Sequence, residues 1–380
     1  MHILRNIRNY VPDLRFPKPV EYLIFSDICE VRKKSRVEGD LPLIELDCIS
    51  QNTGELIRIY NSNDSLSEKN YFERGDVLFG KLRPYLNKHF LPNFSGMCSS
   101  EIWPLIPKKV SSEFLYCFIQ SKYFLLEANI SSGTKMPRAD WKYLATINVP
   151  IFTQENMNRI SKIIIKIEQR ISTQKKIIED YEFLKKAICN NIFKAKLGTK
   201  YPLSLILFER NTYSEKNNKY THVTLSKDGI IPKTDRYNRD FLVRDENKEY
   251  KITKMNDLCY NPANLKFGVI CKNNYGDAIF SPIYVTFEIN KKHNADYVSM
   301  LLTNSTFIRN IRKYEQGTVY ERTSVNPSDF LKGEIYLPNI EKQFDIIKKI
   351  KLISNKITIE KEILSLYEKQ KQYLLNHMFI

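Results

Sequence analysis

Few of the residues that usually carry chemistry are present in quantity. The five histidines, His2, His89, His222, His293 and His377, are scattered without metal-ligand spacing. Twelve glycines in 380 residues form neither GxGxxG nor GxxxxGK[ST], which excludes the common nucleotide cradles. Seven cysteines, an odd number with no CxxC pair, read as reduced and mostly buried thiols rather than a disulfide frame or zinc site. No apolar run approaches the roughly eighteen residues of a membrane span. The N-terminal stretch carries charges throughout and lacks the apolar core of a signal peptide. These absences point to a cytoplasmic protein with no catalytic residue, metal or cofactor of its own.

Two short stretches imitate chemistry without supporting it. "YNPAN" (260–264) superficially resembles the Asn-Pro-Pro-aromatic loop of adenine methyltransferases. It lacks the second proline and the stacking aromatic, and reads as a strand-to-loop turn. Asp240, Glu246 and Lys248 have the composition of a nuclease triad, but 27% of the chain is charged and such spacing arises by chance. Their ordinary reading is a solvated loop.

What is present in excess is positive charge. Lys and Arg number 59 against 43 Asp and Glu, a formal net charge of +16, which draws polyanions and speeds encounter with them. The hydrophobic fraction of 42% suffices for packed cores, and the length suggests two domains.

The strongest pattern is a heptad stripe that occurs twice. Ile160, Ile164, Ile167, Ile171, Ile178, Tyr181, Ile188 and Ile192 recur at alternating spacings of four and three, with Gln174 and Lys185 filling the remaining places. A helix of this length would extend about 58 Å. Ile346, Ile350, Ile353, Ile357, Leu364, Tyr367, Leu374 and Met378 repeat the stripe 186 positions later. Its exceptions, Glu360 and Lys371, fall opposite Gln174 and Lys185. Unrelated coiled coils rarely share their defects, so the chain is a duplication.

The parts before each helix repeat more loosely. "GDVLFGKLRPYLNK" (75–88) aligns with "NDLCYNPANLKFG" (256–268), and "CSSEIWPLIP" (98–107) with "IFSPIYVTFEI" (279–289). "FLYCFIQSKYF" (114–124) aligns with "DYVSMLLTNSTF" (296–307), and "INVPIF" with "IYLPNI". The offset drifts from 181 to 188, with residues gained around 319–327. Short β-branched and aromatic runs read as strands. "SSEFLYCFIQSKYFLLEAN" (111–129) reads as one amphipathic helix, and "KLGTKYP" (196–202) ends the first long helix. Trp141 and Phe330 read as equivalent core residues beneath two Gly-Thr loops, at Gly133 and Gly317. The fold class is therefore α/β (α+β): two globular domains and two long helices. Antiparallel pairing of those helices would place a domain at each end of a rod with an internal pseudo-two-fold axis.

Cationic and aromatic residues cluster in the loops of both copies. In the first they are Lys33, Lys34, Arg36, Lys81, Arg83, Tyr85, Lys135 and Arg138; in the second, Lys233, Arg236, Tyr237, Arg239, Lys266, Tyr320 and Arg322. Lysine and arginine neutralise phosphates, and arginine also grips guanine O6 and N7 with two hydrogen bonds. Any one cluster is more often an ordinary soluble loop; recurrence at matching places in both copies makes DNA contact as good a reading as a solvated surface.

The chain resembles the specificity (S) subunits of type I restriction–modification enzymes. "GDVLFGKLRPYLNK", "CSSEIWPL", "SSGTKMPRADWKYL" and "INVPIFTQENMNRI" carry the resemblance, with weaker matches in "GDAIFSPIYVTF", "QGT" and "IYLPNIEKQFDII". The usual Pro-Leu-x-Glu-Gln opening of the helices is degraded to "PIFTQEN" and "PNIEKQF". The resemblance implies target-recognition domains at 1–152 and 198–338, a central coiled-coil helix at 153–197 and a C-terminal one at 339–380. It further implies that each recognition domain reads half of a split double-stranded DNA target. The helices would fix the spacer and dock two methyltransferase (M) subunits, joined by restriction (R) subunits in the full complex. S-adenosylmethionine, ATP and Mg would be bound by those partners, and the present chain would not be an enzyme. Competing readings are a reader for a methylation-only or other phage-defence system, a stand-alone metal-dependent nuclease, and a coiled-coil scaffold without sequence preference.

Overall fold

The computed structural model describes residues 16–33, 40–61, 69–130, 136–215, 220–227, 229–233, 249–316 and 323–379. The chain divides into two compact units, Met1–Lys176 with Lys361–Ile380, and Ile177–Glu360. Each boundary falls inside a long helix, so each unit holds one α/β domain and portions of both helices.

In the first unit a four-stranded antiparallel sheet has the order Cys29–Val31, Ile102–Pro107, Val77–Gly80, His89–Phe90. A second sheet has the order Tyr60–Asn61, Pro42–Ile44, Gly96–Ser99, Lys69–Phe72, and its one parallel pairing joins Pro42–Ile44 to Gly96–Ser99. Glu21–Ile24 pairs with Asn148–Ile151 and ties the start of the domain to its end. Strand Val77–Gly80 is buried throughout, as its unbroken apolar run requires. Phe79 and Phe25 meet Phe124 at ring-centroid distances of 5.2 and 5.3 Å, and these rings anchor a core that continues onto the helix pair.

The second unit repeats these parts. Its sheets are Leu207–Glu209, Val285–Ile289, Leu258–Tyr260, Ile270–Lys272, and Tyr213–Glu215, Glu249–Thr253, Ala278–Phe280, Thr221–Ser226, Gly229–Pro232. The parallel pairing recurs between Thr221–Ser226 and Ala278–Phe280, and the closing pair between Thr199–Pro202 and Glu334–Leu337. A stack of Tyr260, Phe287 and Phe330, with centroids 4.7–6.1 Å apart, centres its core.

Three details differ from the sequence reading. The segment 111–129 is two helices, Ser112–Phe118 and Lys122–Ala128, because the buried Ser121 hydroxyl caps a new helix by accepting from Phe124 N. The second copy breaks in the same place at Asn304. Ser121→Ala is expected to cost about 1 kcal/mol, read from the midpoint of urea unfolding. The closing strands set the offset at 186 rather than 188, since Ile151 pairs with Glu21 as Leu337 pairs with Thr199. The equivalent of Phe330 is accordingly Leu144, each the last residue of a one-turn helix and each fully buried. Trp141 is only half-buried, lying against Phe25 and Trp103.

The long helices are Gln154–Ala195 and Ile340–His377, 42 and 38 residues. Of the heptad stripe, Ile160, Ile164, Ile167, Ile171, Ile178, Ile346, Ile350, Ile357, Leu374 and Met378 are buried. Tyr181, Ile188, Ile192, Ile353, Leu364 and Tyr367 are half-buried. In the first unit the helices run antiparallel: Glu168 bonds Lys371 at 2.7 Å, and Arg170 lies over the Tyr367 ring. The polar interruptions are inside the seam. Gln174, Glu360 and Lys371 are buried, and Lys371 also reaches the Asn52 carbonyl at 3.5 Å. A polar residue at such a position sacrifices stability and fixes register.

Candidate nucleic-acid interface

The cationic loops are carried by a scaffold that uses an arginine in the same way in both copies. Arg32 leaves the strand Cys29–Val31 and makes two hydrogen bonds to Asp76, at 2.7 and 3.0 Å, with a third to Glu73. Arg210 makes two to Asp257, at 2.8 and 3.0 Å, and a third to Glu288. Each aspartate is buried and also accepts a backbone N–H, from Glu73 in one copy and Lys254 in the other. The pair fixes the turn that launches the strand bearing the site loop. Sequence reasoning missed it, although the Asp before "VLFG" and "LCY" was the available signal.

In the first unit the connection after Val77–Gly80 is stitched to residues 137–139. Arg83 N donates to the Pro137 carbonyl at 2.8 Å, Ala139 N to the Lys81 carbonyl at 2.9 Å, and Leu82 bridges Arg138. Two distant loops thus become one surface holding Lys81, Arg83, Tyr85 and Arg138. Arg83 sits in left-handed backbone, φ 51 and ψ 63, an uncommon conformation for a residue with a Cβ, and caps the short turn Pro84–Leu86. Its side chain and Tyr85 are exposed, Tyr85 by 56%. Arg138 is differently placed: it grips Glu101 through Nε at 3.0 Å and Nη2 at 2.9 Å. Those bonds hold the Glu101 carboxyl below the usual carboxylate range. Arg138 is therefore largely committed, whereas Arg83 meets no carboxylate among the described residues. Lys33 is exposed and leaves its strand at the same end of the sheet as Lys81, with strand Ile102–Pro107 between them.

The second unit stitches the same places. Val325 N donates to the Pro262 carbonyl at 3.3 Å, and Tyr260 Oη to the Val325 carbonyl at 3.0 Å. Lys266 is exposed on the turn Pro262–Phe267, 5.2 Å from the Phe267 ring, and Lys227 approaches that ring at 5.9 Å. Phe267 is 56% exposed, on the connection equivalent to the one bearing Tyr85. Phe267 and Lys227 escaped the sequence reading, the first because an apolar residue at a loop tip looks like core. Lys233 lies at the opposite end of its hairpin from Lys227, so the structure does not gather it with Lys266. Lys34, Arg36, Lys135, Arg236, Tyr237, Arg239, Tyr320 and Arg322 lie outside the described residues, as do Asp240, Glu246 and Lys248.

Among the described residues no group of three or more His, Cys, Asp or Glu is placed to hold a metal, and no helix is long and apolar enough to cross a membrane. The buried thiols of Cys29 and Cys98 are pushed up by burial, and that of Cys259 to about 12, which leaves them protonated and unreactive. What the surface can do is present lysines as point charges to phosphates, an uncommitted arginine to base edges, and one aromatic per copy.

A duplicated α/β chain with a paired cationic loop surface in each copy is the class that fold and site define. Residues 17–182 match the type I restriction modification DNA specificity domain. Over 85 residues it is 35% identical to the type I restriction enzyme EcoDI specificity subunit of Escherichia coli, a match covering 22% of this chain and 19% of that protein. Among solved structures, the type I restriction-modification S subunit from M. genitalium shares the fold at a TM-score of 0.54 and 11% identity, over 98% of both chains. The HsdS subunit from Thermoanaerobacter tengcongensis does so at 0.50 and 14%, over 97% of this chain and 98% of that one. A chain from a study of complex assembly and conformational transition of the type I R-M system reaches 0.63 at 12%, over 96% and 99%.

Proposed function

We propose that this chain is the DNA sequence-specificity subunit of a type I restriction–modification complex, each domain reading one half of a bipartite target. The observation that carries the reading is the recurrence, in two copies of one fold, of a loop pair bonded backbone to backbone and bearing lysines and an exposed aromatic. A bipartite target calls for two readers in one chain, and the long heptad-patterned helices suit a fixed spacer. On this reading the chain works in the cytoplasm beside two methyltransferase subunits that bind S-adenosylmethionine, with restriction subunits supplying ATP- and Mg-dependent steps. It performs no catalysis itself. On the same reading the two domains, at 1–152 and 198–338, are the readers.

Binding to duplexes carrying or lacking the methylated motif tests the reading at several salt concentrations. Arg83→Ala is expected to cost about 1–3 kcal/mol and relax one position of the motif. Lys81→Ala should weaken all sequences alike and lower the salt slope by about 1. Equal affinity of the native chain for every duplex at fixed salt would overturn the proposal.

A further inference from the structure

The two copies treat one place in opposite ways. In the first unit, where the domain meets the helix pair, residues 52–55 lie against the helices and leave a cavity of about 150 Å³. Three glutamates, Glu55, Glu168 and Glu368, line it beside Lys371. Glu55 of that segment bonds Lys175 at 2.7 Å, whereas Lys371 is met by Glu168 of the other long helix at 2.7 Å and by the Asn52 carbonyl at 3.5 Å. Shifting by 186 positions carries Lys371, Gln372, Leu375 and Glu168 to Lys185, Lys186, Cys189 and Ser354. All four of these line a groove of about 840 Å³ in the second unit.

That groove is open and basic. Lys185, Lys186, Lys227, Lys272 and Lys351 line it, with Asp296 as the lone carboxylate among the described lining residues. Asp296 is held by Lys272 at 3.0 Å and Lys351 at 2.6 Å, so it cannot answer the other three. The chain that corresponds to residues 52–55 folds instead as the hairpin Thr221–Ser226 with Gly229–Pro232, whose turn sets Lys227 at the rim. Met300, Ile347 and Ile350 supply an apolar floor. Where the first copy places a peptide bearing a glutamate, the second leaves the position open and carries more lysine.

We propose that the lysine-lined groove of the second unit docks an acidic peptide segment of a partner protein, in the position that residues 52–55 occupy in the first. The lining of the groove sets the chemistry: the lysines that Asp296 does not answer call for carboxylates, and the floor of Met300, Ile347 and Ile350 for an apolar side chain between them. A DNA backbone is disfavoured because the counterpart site is filled by peptide and because much of the lining is apolar or uncharged. This inference does not depend on the DNA reading.

The test uses the full chain and a fluorescein-labelled peptide of three Glu-Glu-Leu repeats, followed by anisotropy. Lys186→Glu with Lys351→Ala is expected to weaken binding about tenfold or more. Lys122→Glu with Lys142→Ala removes the same charge from the exposed surface of the first unit and should leave affinity within about twofold. Far-ultraviolet circular dichroism confirms that both variants fold. Equal weakening by the two variants would mean general charge attraction and overturn the proposal, as would no binding at millimolar peptide. Displacement of the peptide by a random-sequence duplex, with the groove variant losing duplex and peptide binding by the same factor, would assign the groove to nucleic acid and also overturn it.

Discussion

Asp257→Ala is expected to destabilise the second unit by about 3–5 kcal/mol, the cost of removing one partner from a buried ion pair. Asp257 is 2% exposed and takes both nitrogens of the Arg210 fork, together with the Lys254 N–H. Without it the guanidinium, 14% exposed, keeps only Glu288 at the rim. Replacing both partners, as Arg210→Met with Asp257→Leu, should recover much of the loss, because a well-packed apolar pair incurs no charge desolvation. Asp76→Ala should do the same to the first unit. Urea unfolding of the three variants measures it; a single variant no weaker than the double would show that the pair does not hold the turn.

Gly198→Ala should cost about 2–5 kcal/mol, from two separate sources. The residue has φ +84, a left-handed conformation that a Cβ disfavours by roughly 1–2 kcal/mol. An added Cβ would also stand 2.2 Å from the Leu337 carbonyl oxygen and 2.5 Å from Pro338 Cα, backbone that cannot rotate away. Relieving such overpacking typically costs a further 1–3 kcal/mol. The strand pair Thr199–Pro202 with Glu334–Leu337 depends on this approach, and it leads directly into the C-terminal helix. Gly268→Ala is the control: φ is +78, but nothing lies within 4 Å of the added carbon, so only the conformational cost remains. Thermal unfolding should rank Gly198→Ala well below Gly268→Ala. Against a whole-domain stability of about 5–15 kcal/mol, either of the two large losses is enough to expose the second unit to hydrogen exchange.

The helical half of the fold was legible because a heptad stripe is periodic, and its polar interruptions at Gln174, Lys185, Glu360 and Lys371 betrayed the duplication. The burial of Gln174, Glu360 and Lys371 gives the pattern its physical reason: residues on a packed seam cannot vary freely. Strands such as Val77–Gly80 and Val285–Ile289 were equally readable from their composition. The break at Ser121 was not, since a serine within an apolar run looks like a tolerated helix residue until its hydroxyl is seen to accept from Phe124 N. The two-residue error in aligning "INVPIF" with "IYLPNI" came from register set by partners far along the chain, Glu21 and Thr199, with no local signal. At the site, residue type alone marked Arg83 and Arg138 as equals. Glu101, 37 positions from Arg138, separates them, committing one and leaving the other available. Lys227 and Phe267 were hidden for the same reason, because they meet only when hairpin and loop fold together.

The central claim is that each copy reads its own half of one DNA target. Single-molecule sequencing of modified bases, in cells with the gene, without it, and with residues 198–338 exchanged for those of a relative, tests it most directly. The account predicts a split adenine-methylation motif that disappears on deletion and changes in one half only on exchange. A methylation pattern indifferent to the gene, or an exchange that alters both halves, would contradict it.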